Sequence, residues 1–272
     1  MPLVSLNGIQ LNYDVTGSGP LVLLVMGSGS PGRVWRTYQV PALVKAGFTV
    51  ATVDNRGIAP SSESASGITM AQLVGDTAAL IEHLGAPAHV VGTSMGARVV
   101  AELALACPDV VRKAVMFAAT ARPHPVTSAL SKGEQALYDK GIQLPPEYSG
   151  AIKAMLNLSP HTLADPAKAQ EWLDIFEFAS GKSTAGTRAQ LGMDRSQDRR
   201  QAYGAIMVPS LVVGFADDQM VPPQFSREVA EAIPTATYTE IERCGHYGYL
   251  ERPDEVNRVL IDFLSGSAGR QG

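Results

Sequence analysis

Five short stretches of this chain, residues 21–25, 48–53, 89–91, 111–118 and 211–213, are apolar without polar alternation. A strand with one wet face alternates apolar and polar side chains, so runs of this kind describe strands buried on both faces, as in a parallel sheet covered by helices. The covering helices are legible too. Met70, Leu73, Val74, Thr77, Leu80, Ile81 and Leu84 recur at helical spacing on one stripe, and Gly85 follows as a stop. Val256, Val259, Leu260 and Phe263 repeat the pattern, behind Pro253 and the acidic pair Asp254 and Glu255 that suit a helix N-terminus. Strand and helix in alternation predict an α/β fold with an open, mostly parallel central sheet. Asn7-Gly8, between two alternating runs, adds a tight hairpin at the start of the chain.

The alternation fails between residues 121 and 205, where Pro123, Pro125, Pro145, Pro146, Pro160 and Pro166 punctuate helix-like pieces over 128–139 and 168–178. This segment reads as a helical cap lying over the sheet. The expected organisation is a core in two parts, 1–120 and 206–272, with the cap inserted at 121–205.

Composition narrows the possibilities. With 272 residues, 45% hydrophobic and 18% charged, the chain can bury a large core and is not a disordered protein. Its two cysteines, Cys107 and Cys244, form neither a disulfide framework nor a metal knuckle. A net charge of −4 without a basic block argues against nucleic acid as a partner. Apolar runs far shorter than the ~18 to 20 residues that span a bilayer argue against a membrane span. The N-terminus lacks a basic segment followed by a long apolar one, which predicts no secretory signal and a cytoplasmic protein. The tail over 265–272 is expected to fray. A monomer and a homo-oligomer are both compatible with these features.

The sharpest chemical signal is Gly92-Thr93-Ser94-Met95-Gly96, a G-x-S-x-G between a buried run and a helical one. A serine there sits on a tight strand-to-helix turn that exposes its hydroxyl, and the glycines allow the chain to approach itself closely. A serine hydroxyl needs a base to attack at neutral pH, and the base needs an acid to hold its tautomer. Asp217 and Asp218 follow the run at 211–213, where side chains emerge at the carboxyl edge of the sheet. His246 lies in Cys244-Gly245-His246-Tyr247-Gly248, a loop suited to delivering a side chain. Cys244 reads as a small loop residue, and His83, His89, His124 and His161 as structural or surface residues. The order Ser, Asp, His is that of the α/β-hydrolases. Two backbone donors are needed for an oxyanion: Met95 N–H supplies one, and Ser28 N–H, in the loop Met26-Gly27-Ser28-Gly29-Ser30, the other. That loop lacks a Gly-Lys-Ser/Thr and is no phosphate cradle.

Across nearly its whole length the chain resembles the α/β-hydrolase superfamily, through the loop Met26-Gly-Ser-Gly, Trp35, Asp54-Asn-Arg-Gly, the Ser94 pentapeptide, residues 214–222, and His246 with Glu251-Arg-Pro253. More narrowly it is similar to the non-haem bromoperoxidases, the cofactor-free haloperoxidase or perhydrolase group, through residues 54–58, 137–146 and 214–218. It departs from many relatives at Met26, where they carry His, and at Ile58-Ala59. The resemblance implies Asp218, four residues before Pro222, as the triad acid rather than Asp217. It implies a serine esterase without metal or cofactor that acts on a small acyl substrate, with perhydrolase activity at the same acyl-serine. Gly27 and the cap residues Met155, Leu156, Trp172, Phe176 and Phe178 are expected to line the substrate site. Rival readings are a triad-bearing lyase or cyclase, and a ligand-binding protein of the same fold.

Overall fold

The structure, a computed structural model, describes residues 2–63, 67–179 and 184–266. The five apolar runs become β3 (Leu21–Val25), β4 (Thr49–Val53), β5 (Ala88–Thr93), β6 (Val111–Phe117) and β7 (Ser210–Phe215) of an eight-stranded sheet that also includes β1 (Leu3–Leu6) and β2 (Ile9–Gly17), the hairpin at the start, and β8 (Ala236–Ile241). Their order across the sheet is β1-β2-β4-β3-β5-β6-β7-β8. β1 and β2 pair antiparallel, as do β2 and β4, and every pairing from β4 to β8 is parallel. The hairpin turn at Asn7 and Gly8 has positive φ at both residues, 50° and 76°, as Asn-Gly allows.

Every residue of β3 is buried, and successive side chains serve opposite faces. Leu23 and Val25 join the layer formed with α2 (Met70–Leu84) and α3 (Met95–Ala106), whereas Val22 and Leu24 join Trp35, Phe117 and Phe215 beneath α1 (Gln39–Lys45) and α12 (Pro253–Ser265). Two apolar layers on one sheet explain why these strands show no polar alternation. α2 begins with a capping box between Thr69 and Gln72 and stops at Gly85 in the left-handed region. Beside β7 and β8, α10 (Pro223–Ala232) and the short α11 (Gly248–Glu251) complete the core.

Between β6 and β7 run α4 (Pro125–Asp139), α5 (Pro146–Asn157), α6 (Pro160–Leu163), α7 (Pro166–Phe178), α8 (Ala185–Leu191) and α9 (Arg200–Tyr203). α4 buries none of its residues, and α5 and α7 bury only Gly150, Ala154 and Phe176. The end of this segment behaves differently from a cap. Met193, Tyr203 and Ile206 belong to the main apolar layer against α3 and α10, so the chain returns to the core before residue 205. No helix among the described residues is long and apolar enough to cross a membrane. The expected fraying at the C-terminus concerns residues 267–272, outside the described residues; Ser265 closes α12 and Gly266 caps it with φ of 75°.

Candidate active site

In the sheet order β4-β3-β5 the chain leaves β3 in two directions, and a ligand crevice opens at the carboxyl ends of strands where such an order reverses. Ser94 stands at that point, between β5 and α3, with φ of 56° and ψ of −116°. A non-glycine residue in this region carries strain of about 1 to 3 kcal/mol, and the surroundings must hold it there. They do so by crowding. A methyl group on Gly92 would lie 2.2 Å from the Gly96 carbonyl oxygen, and one on Gly96 would lie 2.3 Å from the Val25 carbonyl oxygen. Ser94 N–H is fixed to the Phe117 carbonyl at 2.9 Å. From residue 88 to residue 101 every residue except Ser94 is buried. The strain therefore presents one hydroxyl at the surface of a closed core.

Gly27, expected at the substrate site, faces Ser94: a side chain there would begin 3.3 Å from Ser94 Cβ and 3.9 Å from its Oγ. Ser28 is the next residue of this loop. Met95 is the first residue of α3, and its N–H is one of the helix-start donors that have no partner within the helix.

Asp218 and His246 come together from the loops after β7 and β8. His246 Nδ1 lies 2.7 Å from Asp218 Oδ2, and both residues are buried. The second carboxylate oxygen, Oδ1, accepts the N–H groups of Met220 and Val221, each at 2.8 Å. One carboxylate oxygen is fixed by backbone and the other faces the imidazole, an arrangement that favours the tautomer protonated at Nδ1. Asp217 turns elsewhere. Its Oδ2 accepts Ser159 Oγ–H at 2.5 Å, which joins the acid loop to the cap. The neighbouring carboxylates thus have separate partners, His246 for Asp218 and Ser159 for Asp217.

The same corner of the cap grips the histidine loop. Glu251 Oε1 accepts Ser159 N–H at 3.0 Å and Thr162 Oγ1–H at 2.6 Å, and its Oε2 accepts Gly245 N–H at 2.7 Å. Burial pushes the Glu251 carboxyl above the ordinary range against the pull of these three donors. Tyr247 N–H donates to the Asn157 carbonyl at 3.1 Å. A side chain at Gly245 would strike the backbone of 157–159, so the loop carrying His246 needs glycine at that point. Cys244 is fully buried, and burial, then Glu251 and Asp217, push its thiol far up. It packs as a neutral thiol.

Trp172 and Phe176 lie one helical turn apart on α7 and pack on Tyr247, with ring centroids 6.3 and 6.0 Å from it; Tyr247 is itself 6.2 Å from His246. Met155 and Phe178 do not join them. The cap cluster consists of Ala154, Leu158 and Phe176 with Leu163, Trp172, Leu173 and Tyr247, whereas Met155 is 52% and Phe178 96% exposed. Phe178 is two positions, some 200° of helix, away from Phe176 and points outward, and Met155 follows the inward Ala154 on α5. Ser159, Glu251, Tyr247 and Gln190 were not singled out as site residues. Glu251 stands in its Glu-Arg-Pro run and Tyr247 beside His246, whereas Ser159 and Gln190 carry no signal in the sequence.

Comparison with known proteins places most of the chain beside others of one family. Residues 21–259 match the alpha/beta hydrolase family. A Mycobacterium tuberculosis protein named "Putative non-heme bromoperoxidase BpoC" is 43% identical over 94% of this chain and 98% of its own length. Its crystal structure superposes with a TM-score of 0.90, covering 94% of this chain and 96% of that one. "Pyrrolizixenacetamide deacetylase" of Xenorhabdus hominickii is 26% identical over 97% of this chain and 98% of its own. The enol-lactonase of Burkholderia xenovorans LB400, also 26% identical, has a TM-score of 0.79 over 97% of this chain and all of that one. A strained serine at the head of a helix, a histidine–aspartate pair facing the same sheet edge and a match over most of the chain lead to one assignment: this protein belongs to the alpha/beta hydrolase family.

Proposed function

We propose that the protein is a serine hydrolase acting on carboxylic esters through Ser94, His246 and Asp218. The observation that carries the reading is the 2.7 Å pairing of His246 Nδ1 with an Asp218 carboxylate whose other oxygen is already held by two backbone N–H groups. This pairing has no evident packing purpose, since it buries a carboxylate and an imidazole together at a cost that only function or a network offsets. In the proposed reaction His246 Nε2 takes the Ser94 hydroxyl proton as Oγ attacks the ester carbonyl. Ser28 and Met95 N–H groups receive the oxyanion, each donor worth about 3 to 4 kcal/mol at the transition state. The tetrahedral intermediate collapses, the alcohol leaves with the proton from His246, and a water deprotonated by His246 releases the acid.

Hydrogen peroxide is small and more nucleophilic than water, so it can intercept the same acyl-serine and yield a peracid that oxidises bromide. The 43% identity to a protein named as a bromoperoxidase favours testing this arm. The experiment measures hydrolysis of p-nitrophenyl acetate, and bromination of phenol red in acetate buffer with peroxide and bromide, for the wild type, Ser94→Ala and His246→Ala. Loss of both activities in both variants is expected. Hydrolysis without bromination in the wild type would remove the perhydrolase arm, and activity surviving in Ser94→Ala would remove the acyl-serine.

A further inference from the structure

The loop that carries Gly27 and Ser28 is held at three points by buried polar side chains. At its start the Met26 carbonyl accepts Asn55 Nδ2–H at 3.0 Å, and at its end Gly32 N–H donates to Asp54 Oδ1 at 2.7 Å. Both of these partners belong to the core, in the turn after β4. The middle of the loop is held from elsewhere. Gly29 N–H donates to Gln190 Oε1 at 2.8 Å, and Gln190 Nε2–H donates in turn to the Arg56 carbonyl at 2.9 Å. Gln190 lies on α8 of the cap and is fully buried. One amide side chain therefore closes a bridge between two core loops, using its acceptor on one and its donor on the other.

The docking of α8 that makes this possible is tight. Gly186 lies against Gly57, so that a methyl group on Gly186 would fall 1.8 Å from the Gly57 carbonyl oxygen, and Thr187 Cγ2 would lie 3.1 Å from a side chain at Gly29. Arg56 is itself anchored by a buried bidentate pair with Asp76 of α2, at 2.5 and 2.7 Å. The acceptor that Gln190 reaches is thus a fixed point, and the fixed point is passed on to Gly29. A buried glutamine with both ends bonded is costly to replace, because each removed bond leaves a backbone group unpaired. A loop rich in glycine has little intrinsic preference for the conformation an oxyanion needs.

We propose that Gln190 is a positioning residue for the oxyanion site: the cap, through this side chain, sets the peptide next to Ser28 and so couples cap docking to acyl transfer. The inference rests on the reading of Ser28 and Met95 N–H as the oxyanion donors. It makes the cap part of the catalytic geometry as well as a cover over the substrate. Preorganised donors act through their placement, so a donor left loose by a fraction of an ångström loses effect at the transition state while the ground-state ester still binds.

The test uses Gln190→Met, which keeps the volume and removes both bonds, and Gln190→Glu, which keeps an acceptor for Gly29 but turns a second oxygen towards the Arg56 carbonyl. In Gln190→Met, kcat for p-nitrophenyl acetate should fall about 10- to 100-fold, below or near the loss from deleting a donor outright, with little change in KM. Binding of a trifluoromethyl ketone, which forms an alkoxide on the serine, should weaken by a similar factor. Hydrogen exchange of the segment 26–32 should lose the protection of one amide, with β5 unchanged. Unchanged exchange in that segment, or lost protection with kcat and ketone binding intact, overturns the proposal. If Gln190→Met does not fold, Gln190→Leu, which likewise removes both bonds, takes its place, whereas Gln190→Glu, which keeps the acceptor for Gly29, should keep that protection and lose less of kcat. Esterase activity retained in Ser94→Ala would instead overturn the triad reading, and the exchange result reports on the Gln190 bridge separately.

Discussion

The core and the cap of this protein are held together by different physics. In the core, strands buried on both faces place large side chains such as Trp35, Phe117 and Phe215 in continuous apolar layers. In the cap, α5 and α7 share a small separate cluster around Ala154, Leu158 and Phe176, while Ala189 and Met193 reach the main apolar layer and polar contacts hold the cap at two corners. Ser159 and Thr162 grip Asp217 and Glu251 beside the histidine loop, and Gln190 grips Gly29 beside the serine. Burial is spread over many residues and tolerates local change, whereas a polar contact is concentrated in one pair of atoms. Damage to the core should therefore be read in stability, and damage to the cap in the geometry of the site.

The largest expected effect separates the two adjacent carboxylates. Asp218→Asn should lower kcat by about 10⁴ without loss of folded structure, since the amide can fix the wrong imidazole tautomer. Asp217→Asn, which loosens only the bond to Ser159, should cost far less. Steady-state kinetics on the two variants checks this, and a larger loss for Asp217→Asn would exchange their roles.

Next in size is a pair of aromatic deletions. Trp35→Ala removes a fully buried ring packed 4.8 Å from Tyr249 and should cost about 3 to 5 kcal/mol in global unfolding by denaturant. Phe176→Ala should barely move the global midpoint, and should raise KM and the hydrogen exchange of α5 and α7. Equal losses of global stability would show that the cap unfolds together with the core.

Acid should weaken the core through one residue. His89, in β5, is buried, and burial followed by the Lys113 and Arg112 charges lowers its pKa to about 4. The folded protein therefore holds His89 neutral where the unfolded chain protonates it near the ordinary 6.5. Its contribution is full above pH 6.5 and is lost as the pH falls towards 4, in total about 3 kcal/mol. Denaturation of His89→Gln between these pH values should show a flatter dependence than the wild type, and an identical slope would contradict the assignment. The smallest effect belongs to the cap: Ser159→Ala should leave unfolding nearly unchanged and alter activity by about tenfold or less, the scale of one hydrogen bond.

What could be read in the sequence follows the same division. The strands, α2 and the serine turn are visible because each depends on a local pattern: unbroken apolar runs, a 3.6-residue stripe, and glycines two residues either side of Ser94. The choice between Asp217 and Asp218 is not local, since both leave β7 on the same loop. It rests on the likeness to a family, and the separate partners, His246 for Asp218 and Ser159 for Asp217, become visible only in the structure. The bridge from Gly29 to Gln190 spans 161 residues and involves one ordinary glutamine, so no periodicity marks it. Aromatic content on α7 suggested a substrate wall, but composition does not say which face a side chain takes. Trp172 and Phe176 turned in, and Phe178 turned out. The return of the chain to the core is equally unmarked: α9 and its flanks look like the rest of the insertion, and only packing puts Met193, Tyr203 and Ile206 in the main apolar layer.

The central claim is that Ser94 is the nucleophile of a serine hydrolase. Its most direct measurement is labelling with a fluorophosphonate, followed by peptide mapping by mass spectrometry. One stoichiometric adduct is expected on the peptide carrying Ser94, lost in Ser94→Ala with the fold intact and formed markedly more slowly in His246→Ala. An adduct on another residue, or undiminished labelling of Ser94→Ala, would contradict that claim.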